Sequence, residues 1–349
     1  MKRKTIAVLF GGCSTEYEVS LQSASSVIRN LSPQKYDIVL LGITRQGEWK
    51  KYTGPVERIQ DNTWMSHPSC IPAVISPDRN THGILALENG QAMAIHIDVA
   101  FPVLHGKNGE DGKLQGLLEM AGIPCVGCGT LSSAICMDKD IAHKLVQLSG
   151  VKTPPSVVLY PGWSNDELLE ITGRLSYPLF VKPVGAGSSF GITKVSSPNG
   201  LAAAVDAAFQ HDRKVVIEQA VKGFEVGCAV LGNNELTIGE VDEIELADGF
   251  FDYTEKYTLK TSKIHMPARI DQDTASRIKQ TAATIYTALD CRGFARVDMF
   301  LTPEKEIIFN EVNTIPGFTS HSRYPNMLGG IGMTFEEIVD ALIRLATEA

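Results

Sequence analysis

Residues 4–10 (Lys-Thr-Ile-Ala-Val-Leu-Phe) form an apolar, partly β-branched run that stops at Gly11-Gly12, and from 19 to 30 the apolar spacing turns helical. A strand that ends in a glycine turn and feeds a helix opens an α/β unit, because the helix folds back over the strand to bury both apolar surfaces. Residues 37–43 read as a second strand and 98–104 as another, running into His-Gly-Lys-Asn-Gly-Glu-Asp-Gly at 105–112. A helix over 114–121 follows, closed by Gly122 and Pro124. Between about 47 and 83 the chain is polar and rich in Pro, Asp and Asn, which predicts irregular or hairpin structure.

A second segment starts near Gly129. Its spacing predicts one helix over 131–148, strands at 156–160, 179–182 and 215–219, and helices from Ser164 and over 201–210, a small α+β unit. From about Gly223 a third segment shows strands at 225–232, 236–244, 295–301 and 306–313, with helices over 273–289 and 334–348. A chain of 349 residues exceeds one core and predicts two or three domains of ~100–200 residues.

Composition removes several classes. With 44% hydrophobic and 21% charged residues the chain is neither disordered nor fibrous. Its apolar runs stop well short of the ~20 residues of a membrane helix. The basic start Met1-Lys-Arg-Lys imitates a signal peptide, but Gly11-Gly12 and Glu16 follow the apolar stretch without a small-residue cleavage site. The expectation is a cytoplasmic protein. A net charge of −8, with no Lys/Arg block, argues against a nucleic-acid partner. Seven scattered cysteines read as reduced thiols, and Cys125-Val-Gly-Cys128 lacks the second pair a zinc site needs.

Two stretches carry chemistry. At 181–191, Val-Lys-Pro-Val-Gly-Ala-Gly-Ser-Ser-Phe-Gly, a strand ends in Lys182 and a loop of glycines and serines follows. Glycines let backbone N–H groups approach phosphate oxygens, and the lysine adds charge. Taken alone, the loop fits a glycine-rich hairpin equally well. The second stretch is Arg296-Val-Asp298 with Phe-Asn-Glu-Val-Asn at 309–313. Strand alternation puts Glu311 and Asn313 on one face, where Asp298 can join them from the neighbouring strand. Two carboxylates and an amide oxygen are hard ligands that suit Mg²⁺ and leave room for phosphate and water. Together the stretches favour an enzyme working on ATP and Mg²⁺.

The residues resemble the D-alanine–D-alanine ligase family of the ATP-grasp superfamily. The resemblance rests on 9–20 (Leu-Phe-Gly-Gly-Cys-Ser-Thr-Glu-Tyr-Glu-Val-Ser), 104–112, Met137-Asp-Lys139, the glycine loop, 252–257 (Asp-Tyr-Thr-Glu-Lys-Tyr), 296–298 and 310–322, in the family's order over nearly the whole chain. It implies a three-domain ATP-grasp ligase, α/β with α+β in the ATP-grasp part: a Rossmann-like domain over 1–128, a central domain over 129–222 and a C-terminal domain over 223–349. It implies phosphorylation of a first D-alanine and attack by the amine of a second D-amino acid on the acyl phosphate, giving a peptidoglycan-precursor dipeptide. Lys139, Lys182, Ser189 and Lys256 would surround the ATP phosphates, and Glu218, Val221 and Glu225 would hold adenine and ribose. Asp298, Glu311 and Asn313 would bind two Mg²⁺, for which Mn²⁺ can substitute. Glu16 would take the first ammonium, linked through Ser188 to Tyr257, with His105 near that substrate's carboxylate. Arg296 and the Gly317 N–H would face the tetrahedral intermediate, and Ser322 would touch the second substrate. Residues 252–263 would close over the site. The resemblance also implies a homodimer, with no membrane partner.

For the second substrate, Arg323 stands where many housekeeping ligases carry Leu or Met, a resemblance to the vancomycin-resistance ligases that take D-serine or D-lactate. The D-lactate type places a His in the closing loop. This chain keeps Glu255-Lys-Tyr257 there, and His265 lies too far along. Arg323, with Asp242 and Phe251 as wall residues, therefore points to D-serine, with D-alanine the alternative. An ion-pairing role for Arg323 stays open, and another carboxylate–amine ligase on this scaffold is a more distant reading. A dead nucleotide-binding regulator is disfavoured, because the metal ligands and phosphate lysines are all present.

Overall fold

The computed structural model describes residues 3–185, 191–246 and 262–348. Its first sheet contains β1 (Lys4–Gly11), β2 (Tyr36–Ile43), β3 (Trp49–Tyr52), β4 (Ile71–Ile75), β5 (Gly83–Glu88), β6 (Gln91–His96) and β7 (Val99–Val103). The order is β6-β5-β4-β3-β2-β1-β7, with β1 parallel to both β2 and β7. Strand β1 is apolar throughout because both of its faces are buried, as in doubly wound sheets. Ile6, Val8 and Phe10 face one core, while Ala7 and Leu9 face another. Helix α1 (Tyr17–Asn30) lines the first core, and α3 (Lys113–Ala121) the second.

Of the two readings of the polar stretch, irregular or hairpin, the structure takes the ordered one. The stretch holds β3, β4 and a short helix α2 (Val56–Gln60), and β5 and β6 extend the sheet as a hairpin beyond it. The predicted helix over 131–148 is two helices, α4 (Thr130–Met137) and α5 (Lys139–Leu148). Asp138 breaks it by adopting an extended conformation and capping α5 through its side chain, which accepts from the Ile141 N–H at 3.0 Å.

The second sheet is antiparallel, in the order β10-β9-β11-β8, from β8 (Ser156–Leu159), β9 (Leu179–Pro183), β10 (Thr193–Val195) and β11 (Val215–Gln219). Helices α6 (Asn165–Thr172) and α7 (Leu201–Phe209) cover it around a core of its own. The third sheet runs β14-β13-β12-β15-β16, from β12 (Phe224–Gly232), β13 (Leu236–Leu246), β14 (Ser262–His265), β15 (Phe294–Leu301) and β16 (Ile307–Asn313). One face, with Val226, Cys228, Val230, Val297 and Met299, buries against α8 (Gln272–Ala288). Helices α9 (Arg323–Gly329) and α10 (Phe335–Ala346) follow. The antiparallel second and third sheets give the rest of the chain α+β character, beside an α/β first part. The apolar stripe of α10, with Ile338, Val339, Leu342 and Ile343, joins the same core as α1. No described helix is long and apolar enough to cross a membrane.

Candidate active site

Because β1 has parallel neighbours on both sides, the crevice outside the carboxyl ends of β1 and β7 is the place where such sheets bind ligands. A cavity of about 270 Å³ opens there, lined by Gly11, Gly12, Ser14, Leu104, His105 and Asn108 among others. Glu16 follows β1 at the N-cap position of α1 and is buried. Its carboxylate lies against Gly106, where a Cβ would fall 2.6 Å from Oε2 in a backbone of φ +72°, so this position needs glycine.

His105 has partners that the sequence does not foretell. Its Nδ1 lies 2.8 Å from the Ile315 carbonyl and its Nε2 3.1 Å from Ser23 Oγ. A carbonyl only accepts, so Nδ1 carries the proton and the Ser23 hydroxyl serves Nε2. Ser23 Oγ also accepts from the Phe318 N–H at 3.2 Å. Glu110, which the sequence reading leaves without a role, accepts the N–H groups of Gly106 (2.7 Å) and Ile315 (2.8 Å). His105 and Glu110 thus fix both backbone groups of Ile315 and set the start of the segment that carries Gly317 and Ser322. Ser322 Oγ accepts from the Thr319 N–H at 2.9 Å and sits 3.1 Å from where a Cβ on Gly317 would be.

The polar face of the third sheet is the centre of the site. Its register lines up Asp242, Gly227, Asp298 and Glu311 in one row across four strands, and Ala229, Arg296 and Asn313 in the next. The predicted grouping of Asp298, Glu311 and Asn313 therefore occurs. Arg296 grips Asp298 through Nε (2.8 Å) and Nη2 (2.7 Å), and Asn313 Nδ2 donates to the same carboxylate at 2.8 Å. Burial pushes the Asp298 pKa up, but Arg296 and Arg323 outweigh it and hold the carboxyl below its usual range.

Arg323, the first residue of α9, is buried and fully engaged. Nε and Nη2 form a fork on Asp242, each at 2.7 Å, and Nη1 reaches Glu225 at 3.0 Å and Asp298 at 3.3 Å. Asp242 also accepts the Gly227 N–H at 3.0 Å. The resemblance implies that Arg323 offers donors to a second substrate and that Glu225 helps to hold adenine and ribose. In the structure, the Arg323 guanidinium and the Glu225 carboxylate are joined in an ion pair.

At the other edge, Lys139 at the start of α5 pairs with Glu311 at 3.1 Å. Burial works against the lysine's charge, yet Glu311 prevails and raises its pKa. Lys182 of β9 pairs with Glu218 of β11. Burial opposes the Glu218 charge, and Lys182 and His143 more than offset it. His143, one turn after Lys139 and unremarked in the sequence, donates from Nε2 to the Asn310 carbonyl at 3.0 Å. Its Nδ1 and Glu218 Oε1 are 4.0 Å apart, both buried and without a hydrogen-bond partner among the described residues. Val221 lies in the connection between β11 and β12. Ser188, Ser189, Phe251, Lys256 and Tyr257 fall outside the described residues. Lys263, expected in the closing loop, belongs to β14 opposite Glu245.

Two family models match this chain, one described as D-ala D-ala ligase N-terminus over residues 5–128 and one as D-ala D-ala ligase C-terminus over 145–344. The chain belongs to the D-alanine–D-alanine ligase family. As a member it is an enzyme, an ATP-dependent ligase. A putative D-alanine–D-lactate ligase of Streptomyces coelicolor is 46% identical over 99% of this chain and 98% of its own length. A D-alanine–D-alanine ligase of Caldicellulosiruptor bescii is 44% identical over 100% of this chain and 96% of its own. The crystal structure of the VanG D-Ala:D-Ser ligase from Enterococcus faecalis shares 60% identity at a TM-score of 0.93, covering 99% of this chain and all of that one.

The ligase's residues fit the groups such an enzyme handles. The unpartnered Glu218 Oε1 is an acceptor able to serve a donor such as an exocyclic amine. Asn313 turns its amide nitrogen to Asp298, which leaves its oxygen as a ligand atom for a hard cation beside Asp298 and Glu311. Among the described residues no three His, Cys, Asp or Glu are grouped so as to hold a metal ion, and the candidate metal set is two carboxylates and one amide.

Proposed function

We propose that this protein is a D-alanine–D-serine ligase that uses ATP and Mg²⁺, or Mn²⁺ in its place, to make a cell-wall precursor dipeptide, as a cytoplasmic homodimer. The observation that carries the second-substrate reading is the Arg323–Asp242 fork beside Ser322. It makes that wall polar and rigid, and a polar wall favours a hydroxymethyl over a methyl side chain because a site built to hydrogen-bond a hydroxyl discriminates against the analogue lacking it. Likeness to the VanG D-Ala:D-Ser ligase supports the same reading.

Each residue has a task in this reading. Glu16, in the crevice beyond β1, takes the ammonium of the first D-alanine. Ile315, pinned by His105 and Glu110, aims the Gly317 N–H and Ser322 at the reacting carbonyl. Lys139 and Lys182, now paired with Glu311 and Glu218, exchange those carboxylates for phosphate oxygens, while Glu311, Asp298 and Asn313 take the metal. ATP supplies the phosphoryl group that activates the carboxylate, a transfer that depends on positioning and charge neutralisation. Arg296 stabilises the negative charge of the tetrahedral intermediate.

D-alanine as second substrate is favoured by a different observation. Arg323 already serves Asp242, Glu225 and Asp298, so few of its donors remain for a hydroxyl. For D-lactate, His265 offers no support, since it sits in β14 with Nε2 2.6 Å from Glu245. The test is to incubate the enzyme with ATP, Mg²⁺ and D-alanine, alone and against D-serine or D-lactate, recording phosphate release and product mass. Dominant D-alanyl-D-serine is expected. Mainly D-alanyl-D-alanine would assign the housekeeping activity, and no D-alanine-dependent phosphate release would overturn the reading.

A further inference from the structure

We infer that Arg323 is a positioning residue for Asp298, so that the wall of the second-substrate pocket and the metal site are one mechanical unit. The inference rests on the reading of Asp298 as a metal ligand.

Three observations carry it. Arg323 has a seat made for it, since a Cβ on Gly227 would fall 2.2 Å from Nη2 and 2.8 Å from Asp242 Oδ1. Only glycine at 227 lets the guanidinium lie flat between Asp242 on β13 and Asp298 on β15, which flank Gly227 in the register. The fork on Asp242 then fixes the guanidinium plane, which sends Nη1 to Asp298 Oδ1 at 3.3 Å and Glu225 Oε1 at 3.0 Å. Finally, Arg296 holds both oxygens of Asp298, Oδ1 through Nε at 2.8 Å and Oδ2 through Nη2 at 2.7 Å, and Asn313 adds a bond to Oδ2, so Arg323 is the second cation on Oδ1 and bears on it from across the sheet.

A carboxylate that ligates a metal needs its orientation set by outer hydrogen bonds, and losing such a partner typically costs metal affinity about 10- to 100-fold. A residue concerned only with the second substrate would leave metal affinity untouched. Lysine at 323 keeps the charge but lacks the fork that would hold Asp242 and reach Asp298 together.

The test measures Mn²⁺ binding in the presence of ADP and the absence of any amino acid, following free Mn²⁺ by electron paramagnetic resonance. Arg323→Lys and Gly227→Ala should both weaken Mn²⁺ binding at saturating ADP by about 10- to 100-fold. Mn²⁺ affinity equal to or tighter than wild type in these variants would overturn the inference. Asp298→Asn separates it from the metal reading, because unchanged Mn²⁺ binding there would remove Asp298 as a ligand, whatever Arg323 does. If either variant does not fold, Asp242→Asn, which keeps the side-chain volume and weakens the fork, carries the same prediction.

Discussion

Glu110 holds the N–H groups of Gly106 and Ile315 with its two carboxylate oxygens, one on each side of the crevice. A hydrogen bond to a charged group contributes about 1.5–3 kcal/mol. Glu110→Gln keeps one good acceptor and loses the other, and should raise KM for the first D-alanine about tenfold while leaving KM for ATP unchanged. Steady-state kinetics with each substrate varied in turn checks the split, and an equal rise in both would contradict it. Arg296→Lys should lower kcat by ~10²–10³, because it removes the fixed planar donor at the developing oxyanion. At this scale the sequence names residues better than it names their partners. Asp298, Glu311 and Asn313 are legible because strand alternation has a period of two. The Arg323–Asp242 fork is not, since those residues lie 81 positions apart and only the packing of α9 over β12 and β13 joins them.

At the scale of elements, the break at Asp138 places Lys139. Asp138 caps α5 and receives Lys214 at 2.9 Å, and α5 presents Lys139 to Glu311 and, one turn on, His143 to Asn310. Asp138→Ala should cost about 1 kcal/mol through the cap and lower kcat as Lys139 loses its placement, read from the urea midpoint and from turnover. A variant with normal kcat would detach the cap from the site. Hydrophobic spacing predicts one helix here because it runs through the break unaltered, whereas the capping geometry of a single aspartate decides the outcome. The hairpin β5–β6 escapes for a related reason: β6 is exposed along most of its length, and its Ala-Met-Ala-Ile run lacks the polar–apolar alternation of a half-buried strand. Deep in the first core, Leu342 of α10 is 1% exposed, and Leu342→Ala should destabilise the protein by about 2–5 kcal/mol without altering KM for the second substrate.

Across the whole molecule, several buried carboxylates carry the acid sensitivity. Asp140, Glu218, Glu243 and Asp298 all have pKa values below the ordinary range; burial raises each of them and cationic partners win. A carboxyl that titrates near 4 when unfolded and lower when folded binds more protons in the unfolded state. Its stabilisation is complete above about pH 5 and is lost as pH falls through 4 towards the folded value. Urea midpoints should therefore stay level from pH 7 to about 5 and drop below 4, and a level midpoint down to about pH 3 would contradict the assignment. The order of sheets was legible in outline from strand and helix spacing. The sharing of a core between α10 and α1 was not, because hydrophobic pattern reports that a face is buried and never against what.

That shared core bears on how the molecule comes into being. Ile338, Val339, Leu342 and Ile343 complete the packing against Ile6, Val8, Phe10 and Leu21, and Tyr36 and Lys35 both bond Asp340. His105 and Glu110 meet Ile315 across 210 and 205 residues. Contacts of such sequence separation form late, after the loop-closure entropy has been met elsewhere. On a ribosome that delivers about 5–20 residues each second, the opening strands emerge long before their last partner helix, and must wait with an apolar face uncovered. The nascent chain is most exposed to chaperones, and to aggregation, in that interval, and catalysis begins only once α10 has been made.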